Sequence, residues 1–215
     1  MNTIRVWYEK KGIVKYISHL DTVRCMDRVL RKSKLPVWYT EGFNPHIYTT
    51  FANPLSLGHE SLCEIMEFRL EQDMDLNEVK DRLNAVLPAG FAVNKVEPAE
   101  RSFGDIGAAT YEVSVNCEED ALQSILSFFA KEEIITLKKS KKGMRETDIR
   151  PMLFAYSGEM TGESTAVIKL TLASGQNGGL NPALLLNACK EQTNSDFEVT
   201  GYLRTSLLDK NFQLF

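Results

Sequence analysis

Two short motifs contain the residue types best suited to chemistry. The first is Ser18-His19-Leu20-Asp21 and the second is Glu41-Gly42-Phe43-Asn44-Pro45-His46. Histidine is the side chain whose ordinary pKa lies nearest to neutrality, so His19 and His46 are the candidate acid–base residues. If the fold brings them together, they form a pair able to cleave RNA through its own 2′-hydroxyl. The competing interpretation of His19 is a hydrogen-bonded histidine at a helix–loop junction.

A row of arginines follows the first motif. Arg24, Arg28 and Arg31 have the spacing of residues on one face of a helix. Residues 10–34 contain eight basic and two acidic side chains, although the whole chain has a net charge of −4. Because guanidinium groups match pairs of phosphate oxygens, this row predicts a track for binding phosphates. An ordinary solvated helix face is the alternative.

A second basic segment covers residues 138–150, where six basic side chains accompany two acidic ones. Gly143 marks a turn, so the lysines are predicted to lie on a flexible arm between two strands. Asp148 and Arg150 have the spacing of alternate residues on an extended segment, which places both on one face and predicts an ordered pair within an anion site. The alternative is a solvated loop. The candidate anion-binding residues here are Lys138, Lys139, Lys141, Lys142, Arg145 and Arg150.

Several function classes receive no support from the sequence. It contains no phosphate-binding glycine loop, no dinucleotide fingerprint, no zinc-protease motif and no nucleophile elbow. No two of its four cysteines have metal-site spacing, so we expect free thiols, no metal and no cofactor. The sequence also shows no export signal and no apolar run long enough to cross a membrane, which predicts a cytoplasmic protein. These observations favour a non-catalytic role and leave the enzyme question open.

The first half of the chain has the pattern of alternating strands and helices. Ser18 is predicted to cap a helix that ends before Pro36, with Asp21 in the capping-box position. Pro88 and Gly90 end a second helix. The predicted elements are strands at 4–8, 14–17, 37–40, 47–52, 62–70 and 91–96 and helices at 18–35 and 75–87.

The second half repeats this order with a long insertion. Its predicted strands are 111–115, 134–139, 165–172 and 197–208, with 134–139 paired to 165–172, and Asn116 and Asn181 are predicted to cap its two helices. The order β-α-β-β-α-β therefore occurs twice, which predicts an α+β fold of two tandem ferredoxin-like domains. The predicted domains are 1–98 and 110–215, joined by a linker at 99–109.

Several motifs together resemble the radical-SAM-linked protein family. This is a domain of unknown function found alone or fused to B12-binding-type radical SAM proteins. Ile47-Tyr48 departs from the family pattern, which often has a proline and a basic residue there. The segments that carry the resemblance are 17–21, Arg24, Arg28, 35–36, 41–46, 54–58, 60–61, 87–90, 142–143 and 148–151.

The resemblance implies a radical SAM partner enzyme and points towards RNA. Combined with the two basic segments, it leads to the hypothesis of an accessory protein that binds tRNA or rRNA, a radical SAM enzyme, or both. One alternative is a metal-independent endoribonuclease that uses His19 and His46. The other alternative is a module that binds only proteins.

Overall fold

The structure is a computed structural model that describes residues 2–140, 143–175 and 178–215. Within strands, the side chains at 138–140 and 144 also lie outside the description. The chain divides into two compact units, Met1–Phe103 and Gly104–Phe215. Both contain strands and helices, so the α+β class is confirmed.

The first unit contains four strands and two α-helices within its described residues. The strands pair antiparallel in the order β4-β1-β3-β2, with Ile4 opposite Phe68 and Thr50 opposite Glu67. In chain order the elements are β1 (Asn2–Lys10), α1 (His19–Lys32), β2 (Thr49–Phe51), β3 (Glu60–Leu70), α2 (Leu76–Asn84) and β4 (Phe91–Pro98).

Both helices of the first unit pack on the same face of its sheet. Met26 and Leu30 of α1, together with Leu83 of α2, join a buried cluster that includes Val6 and Phe68 of the strands. Burying an apolar side chain of this size is worth about 1.5–3 kcal/mol. On the predicted apolar face of α1, Met26, Val29 and Leu30 are buried as expected, whereas Val23 is only half-buried and Leu20 is exposed in the first turn.

Two predicted strands of the first unit take other forms. Gly12–Tyr16 forms a 3-10 helix, whereas the sequence predicted an extended segment at 14–17. Residues 37–40 contribute only isolated bridges, from Val37 to Leu70 and from Tyr39 to Ile47. The chain passes from α1 into this segment through Lys34, whose φ of +55° is left-handed, and then through Pro36.

The second unit forms a four-stranded antiparallel sheet in the order β10-β5-β9-β8, with a separate β6-β7 hairpin. Four residues of the predicted linker, 106–109, belong to its first strand. The elements are β5 (Ile106–Asn116), α3 (Glu119–Phe129), β6 (Ile135–Ser140), β7 (Gly143–Asp148), β8 (Leu153–Met160), β9 (Thr165–Ala173), α4 (Pro182–Thr193) and β10 (Glu198–Asp209).

Two predictions for the second unit are wrong. The strand at 134–139 was expected to pair with 165–172, but β6 pairs with β7, and β9 pairs with β5 and β8. Asn116 was expected to cap α3, but it is the last residue of β5 and pairs with Thr165, so Glu118 occupies the cap position. The predicted cap at Asn181 is confirmed, since its side chain accepts a hydrogen bond from the Ala183 N–H at 2.8 Å.

Candidate functional site

The first motif fixes the beginning of α1. The Ser18 hydroxyl accepts a hydrogen bond from the Asp21 N–H at 3.1 Å and donates one to the Asp21 carboxylate at 2.7 Å, so the predicted cap is confirmed. The Ser18 hydrogen bond, supported by Arg24, lowers the pKa of Asp21 below its ordinary value. His19 is therefore the first helical residue. Its exposed ring lies edge-on to Phe51, with 5.6 Å between ring centroids.

The second motif forms an exposed loop at 40–46. A backbone hydrogen bond from the Thr40 N–H to the His46 carbonyl, at 2.9 Å, closes its base. The His46 Nδ1 lies 3.1 Å from the Thr40 hydroxyl and 3.2 Å from the Asn44 carbonyl. The His46 ring is therefore held by its own loop. Phe43 lies near the loop tip with its whole side chain in solvent.

The proposed pair of histidines receives no geometric support. His19 contacts Phe51, whereas His46 bonds within its loop. Among the described residues, no hydrogen bond or ring contact joins the two imidazoles. Direct acid–base cooperation requires both groups within reach of one reacting site, and these contacts do not assemble one.

A small polar cavity beside His19 was not predicted from the sequence. Its volume is about 10 Å³, which is about one water molecule, and its wall includes Tyr8, Lys10 and Glu64. Lys10 is buried, and its ammonium donates to the Ile17 carbonyl at 3.1 Å. The alternation of β1 could have revealed that Lys10 is buried. Every second residue from Ile4 faces the helices, and Lys10 follows Tyr8 in that series.

The arginine row lies on the exposed surface of α1, and two of its members have carboxylate partners. Arg24 lies 3.1 Å from Asp21, and Arg31 lies 2.9 Å from Asp27. Arg28 is exposed and makes no ion pair or hydrogen bond with any described residue. Exposed pairs of this kind contribute only about 0–1 kcal/mol, so phosphate oxygens can compete for the guanidinium groups.

The second basic segment forms the β6-β7 hairpin. Its register places Lys138 opposite Arg145 and Lys139 opposite Met144. The side chain of Arg145 is exposed. Lys141 and Lys142 lie outside the described residues. The sequence predicted these lysines on an arm between strands 134–139 and 165–172. In the structure Lys138 and Lys139 belong to β6, and the segment after the turn forms its partner strand β7.

Asp148 and Arg150 do not form the expected pair. One carboxylate oxygen of Asp148 accepts hydrogen bonds from the Ile134 and Arg150 N–H groups, both at 2.9 Å. The Arg150 guanidinium instead donates to the carbonyls of Lys131 at 3.0 Å and Leu153 at 2.9 Å. Arg150 begins a 3-10 helix and does not continue the strand, so the expected alternation fails there. Both side chains hold the base of the hairpin.

The described residues contain free cysteines and no built metal site. Cys25, Cys63, Cys117 and Cys189 are free, as the sequence predicted. Burial raises the pKa of the Cys25, Cys117 and Cys189 thiols. In the described ranges, no group of three or more His, Cys, Asp or Glu side chains is placed to hold a metal ion. None of the described helices has the length and apolar character that crossing a bilayer requires.

Three solved structures have a similar fold. They are "Crystal Structure of a Cbf5-Nop10-Gar1 Complex", "Crystal structure of the archaeal box H/ACA sRNP Nop10-Cbf5 complex" and "Structure of H/ACA RNP bound to a substrate RNA containing 2'-deoxyuridine". The TM-scores are 0.55, 0.50 and 0.52, and the sequence identities are 9%, 8% and 8%. The matches cover 95%, 98% and 98% of this chain but only 48%, 49% and 48% of those chains. At these identities the similarity concerns the fold alone, which is α+β. This chain spans about half the length of the chains that it matches.

A family match identifies the chain more closely. Residues 3–182 match the family described as "Uncharacterized protein conserved in bacteria (DUF2344)". The protein therefore belongs to the DUF2344 family. The search of curated proteins found no match.

Proposed function

We propose that this protein is a non-catalytic accessory protein that binds RNA, either tRNA or rRNA. The observation that carries the proposal is the exposed row of guanidinium groups on α1, in which Arg28 has no carboxylate partner among the described residues. Arg24 and Arg31 extend the row on either side. A row of this kind matches phosphates spaced along an RNA backbone.

The distribution of charge favours binding at a limited surface. The chain as a whole is acidic, with a net charge of −4, so RNA is repelled except where basic residues collect. The second contact in this proposal is the β6-β7 hairpin, with Lys138, Lys139, Lys141, Lys142 and Arg145. Arg150 is left out because its guanidinium bonds the Lys131 and Leu153 carbonyls.

The structural comparisons add circumstantial support. Two of the similar structures belong to H/ACA ribonucleoproteins, and one of these has a bound substrate RNA. At 8–9% identity the likeness concerns the fold alone, so the argument for RNA depends on the arginine row. The strand orders β4-β1-β3-β2 and β10-β5-β9-β8 also support the further proposal that both units are ferredoxin-like domains.

The proposed protein partner is a radical SAM enzyme. This part of the proposal depends on the resemblance of the two motifs in the first unit and of the segment around Asp148 to the radical-SAM-linked family. In this arrangement the protein holds the RNA while the partner performs the chemistry. Co-purification of a radical SAM enzyme with the tagged chain supports this assignment, and its absence at low salt contradicts it.

The RNA proposal is tested by filter binding of bulk tRNA and rRNA at low salt. Arg28→Glu is expected to weaken binding about tenfold or more, because it replaces a phosphate contact with a like charge. The matched control is Lys210→Glu, which makes the same change of charge at an exposed site outside both basic segments. Equal binding by both variants and the unaltered protein contradicts the proposal.

A further inference from the structure

Three side chains of the first unit form a cluster outside both basic segments. The guanidinium carbon of Arg69 lies 5.2 Å from the ring centroid of Trp38 and 4.8 Å from that of Tyr48. The two rings lie edge-to-face, with centroids 6.3 Å apart. We call Trp38, Tyr48 and Arg69 the aromatic–arginine cluster.

Strand pairing determines where this cluster lies. The Trp38 N–H donates to the Arg69 carbonyl at 2.9 Å, which docks this segment on the end of β3. Val37 and Ile47 are buried in the core with the helices, so their neighbours Trp38 and Tyr48 lie on the other side. Arg69 alternates with buried Phe68 in the same way. The cluster therefore occupies the sheet face that α1 and α2 leave uncovered.

The guanidinium group of Arg69 lies against two aromatic rings. No described carboxylate forms an ion pair with Arg69, and its contacts are the two aromatic faces. Contact with aromatic rings orients a guanidinium while leaving its N–H groups able to bond an anion. Tyr48 keeps 38% of its surface in solvent. A flat π-surface therefore lies beside an oriented positive charge.

The loop between Trp38 and Tyr48 adds another exposed ring. Phe43 is fully exposed near its tip, next to Gly42, whose φ is +123°. At this φ any side chain larger than hydrogen is strained, so Gly42 supports the turn that presents Phe43. The chain from 38 to 48 thus presents aromatic rings at both ends and at its tip.

We propose that the aromatic–arginine cluster binds an unpaired base of RNA, with Arg69 on the adjacent phosphate. This inference rests on the proposed RNA-binding function and specifies the substrate as a single-stranded loop, bulge or end. Unpaired bases stack on aromatic side chains and arginine planes, whereas bases in a duplex are already stacked on each other. Phe43 supplies a second stacking surface for a neighbouring base.

The test uses tryptophan fluorescence. The chain has two tryptophans, so Trp7→Phe leaves Trp38 as the only reporter. A short oligouridylate is expected to quench this fluorescence saturably, because a base stacks within the cluster. Heparin and a blunt RNA duplex supply negative charge without unpaired bases, so they are expected to bind the arginine row with little quenching.

A substitution makes the same test quantitative. Tyr48→Leu is expected to weaken oligouridylate binding about tenfold, since stacking of one base on an aromatic side chain is worth about that factor. Tyr16→Leu is the matched control, because Tyr16 is exposed but lies outside the cluster. Circular dichroism establishes that each variant is folded.

The outcomes separate the two proposals. Binding of oligouridylate without quenching, and without an effect of Tyr48→Leu, overturns base stacking but leaves RNA binding intact. Failure to bind oligouridylate, tRNA and rRNA alike overturns both proposals. Quenching that heparin reproduces equally also overturns base stacking, because charge alone then explains the signal.

Discussion

The first and second units differ most in the segment between the first helix of each and the second strand of its sheet. In the first unit this segment is the excursion at 33–48, and the strand that follows, β2, has only three residues. In the second unit the β6-β7 hairpin is inserted, and the strand that follows, β8, has eight residues. Both units thus place their most unusual surface residues at the same point in the element order.

Within each unit, the elements that supply most of the core differ from the segments that present exposed aromatic or basic residues. The remaining strands and helices supply buried side chains, such as Phe68 in the first unit and Phe129 in the second. The inserted segments instead present Phe43, the basic hairpin, and the two rings of the aromatic–arginine cluster, whose Arg69 belongs to β3. Because a loop tolerates change that a packed element does not, function can be added there at little cost to the fold.

The largest expected effect comes from removing a core ring. Phe68→Ala is expected to lower the free energy of unfolding by about 3–5 kcal/mol, because Phe68 is completely buried and its loss leaves a cavity. Phe43→Ala removes the same ring from a fully exposed position and is expected to change it by less than about 0.5 kcal/mol. Urea unfolding measures both. A large loss of stability in Phe43→Ala contradicts the division between core and inserted segment.

The second-largest loss of stability is expected at a glycine with positive φ, and a second such glycine serves as its control. Gly90 has φ +95°, and a Cβ there would lie 2.7 Å from the Lys11 carbonyl oxygen and from a Val14 methyl group. Gly90→Ala is therefore expected to lower the free energy of unfolding by about 1–3 kcal/mol or more, from strain and collision together. Thermal unfolding provides the measurement.

The control for this prediction lies in the hairpin. Gly143 has φ +115°, but no described atom lies within 4 Å of the position of a Cβ. Gly143→Ala therefore retains the strain and lacks the collision, so its effect is expected to be smaller. If Gly143→Ala destabilises the protein more than Gly90→Ala, then close packing around Gly90 is not what makes its substitution costly.

The third effect tests the base of the hairpin. Asp148→Ala removes an acceptor shared by the Ile134 and Arg150 N–H groups, so a loss of about 1–2 kcal/mol is expected. Hydrogen exchange is expected to accelerate at these two amides. Asp148→Asn keeps an oxygen acceptor and is expected to lose less. Unchanged exchange in Asp148→Ala would show that the carboxylate is not what holds the hairpin.

Features determined by neighbouring residues were predictable from the sequence. Ser18 caps α1 because its hydroxyl and the Asp21 N–H are three residues apart, and the same local argument applies to Asn181. In contrast, β8 contains few buried residues and includes Gly158, so its sequence gave no strand signal. A Cβ at Gly158 would lie 2.9 Å from the Leu122 side chain, so this glycine is explained only by packing against α3.

In the candidate sites, too, features set by local spacing were predictable, and contacts between distant residues were not. The spacing of Arg24, Arg28 and Arg31 predicted a shared helix face, and the structure places all three on the exposed side of α1. Spacing did not reveal that Arg150 bonds the Lys131 carbonyl, nor that Arg69 lies between Trp38 and Tyr48. These contacts join residues far apart in the chain, so only the folded strands bring them together.

The smallest effect concerns the pH dependence of the α1 cap. Asp21 has a lowered pKa in the folded protein, so the contact contributes stability above the unfolded-state pKa. That contribution is lost as the pH falls through the lowered folded-state value. Ser18→Ala removes the main cause, so the pKa of Asp21 is expected to rise towards its ordinary value, with about 1 kcal/mol of cap stability lost.

NMR titration of the Asp21 carboxyl measures this shift, and Ser18→Thr is the control because it retains the hydroxyl. In the second unit the α3 cap position is Glu118, which makes no side-chain cap hydrogen bond. Glu118→Ala is therefore expected to cost less cap stability than Ser18→Ala. If the pKa of Asp21 is unchanged in Ser18→Ala, then Arg24 and not the Ser18 hydroxyl sets it, and the two helix starts differ less than their contacts indicate.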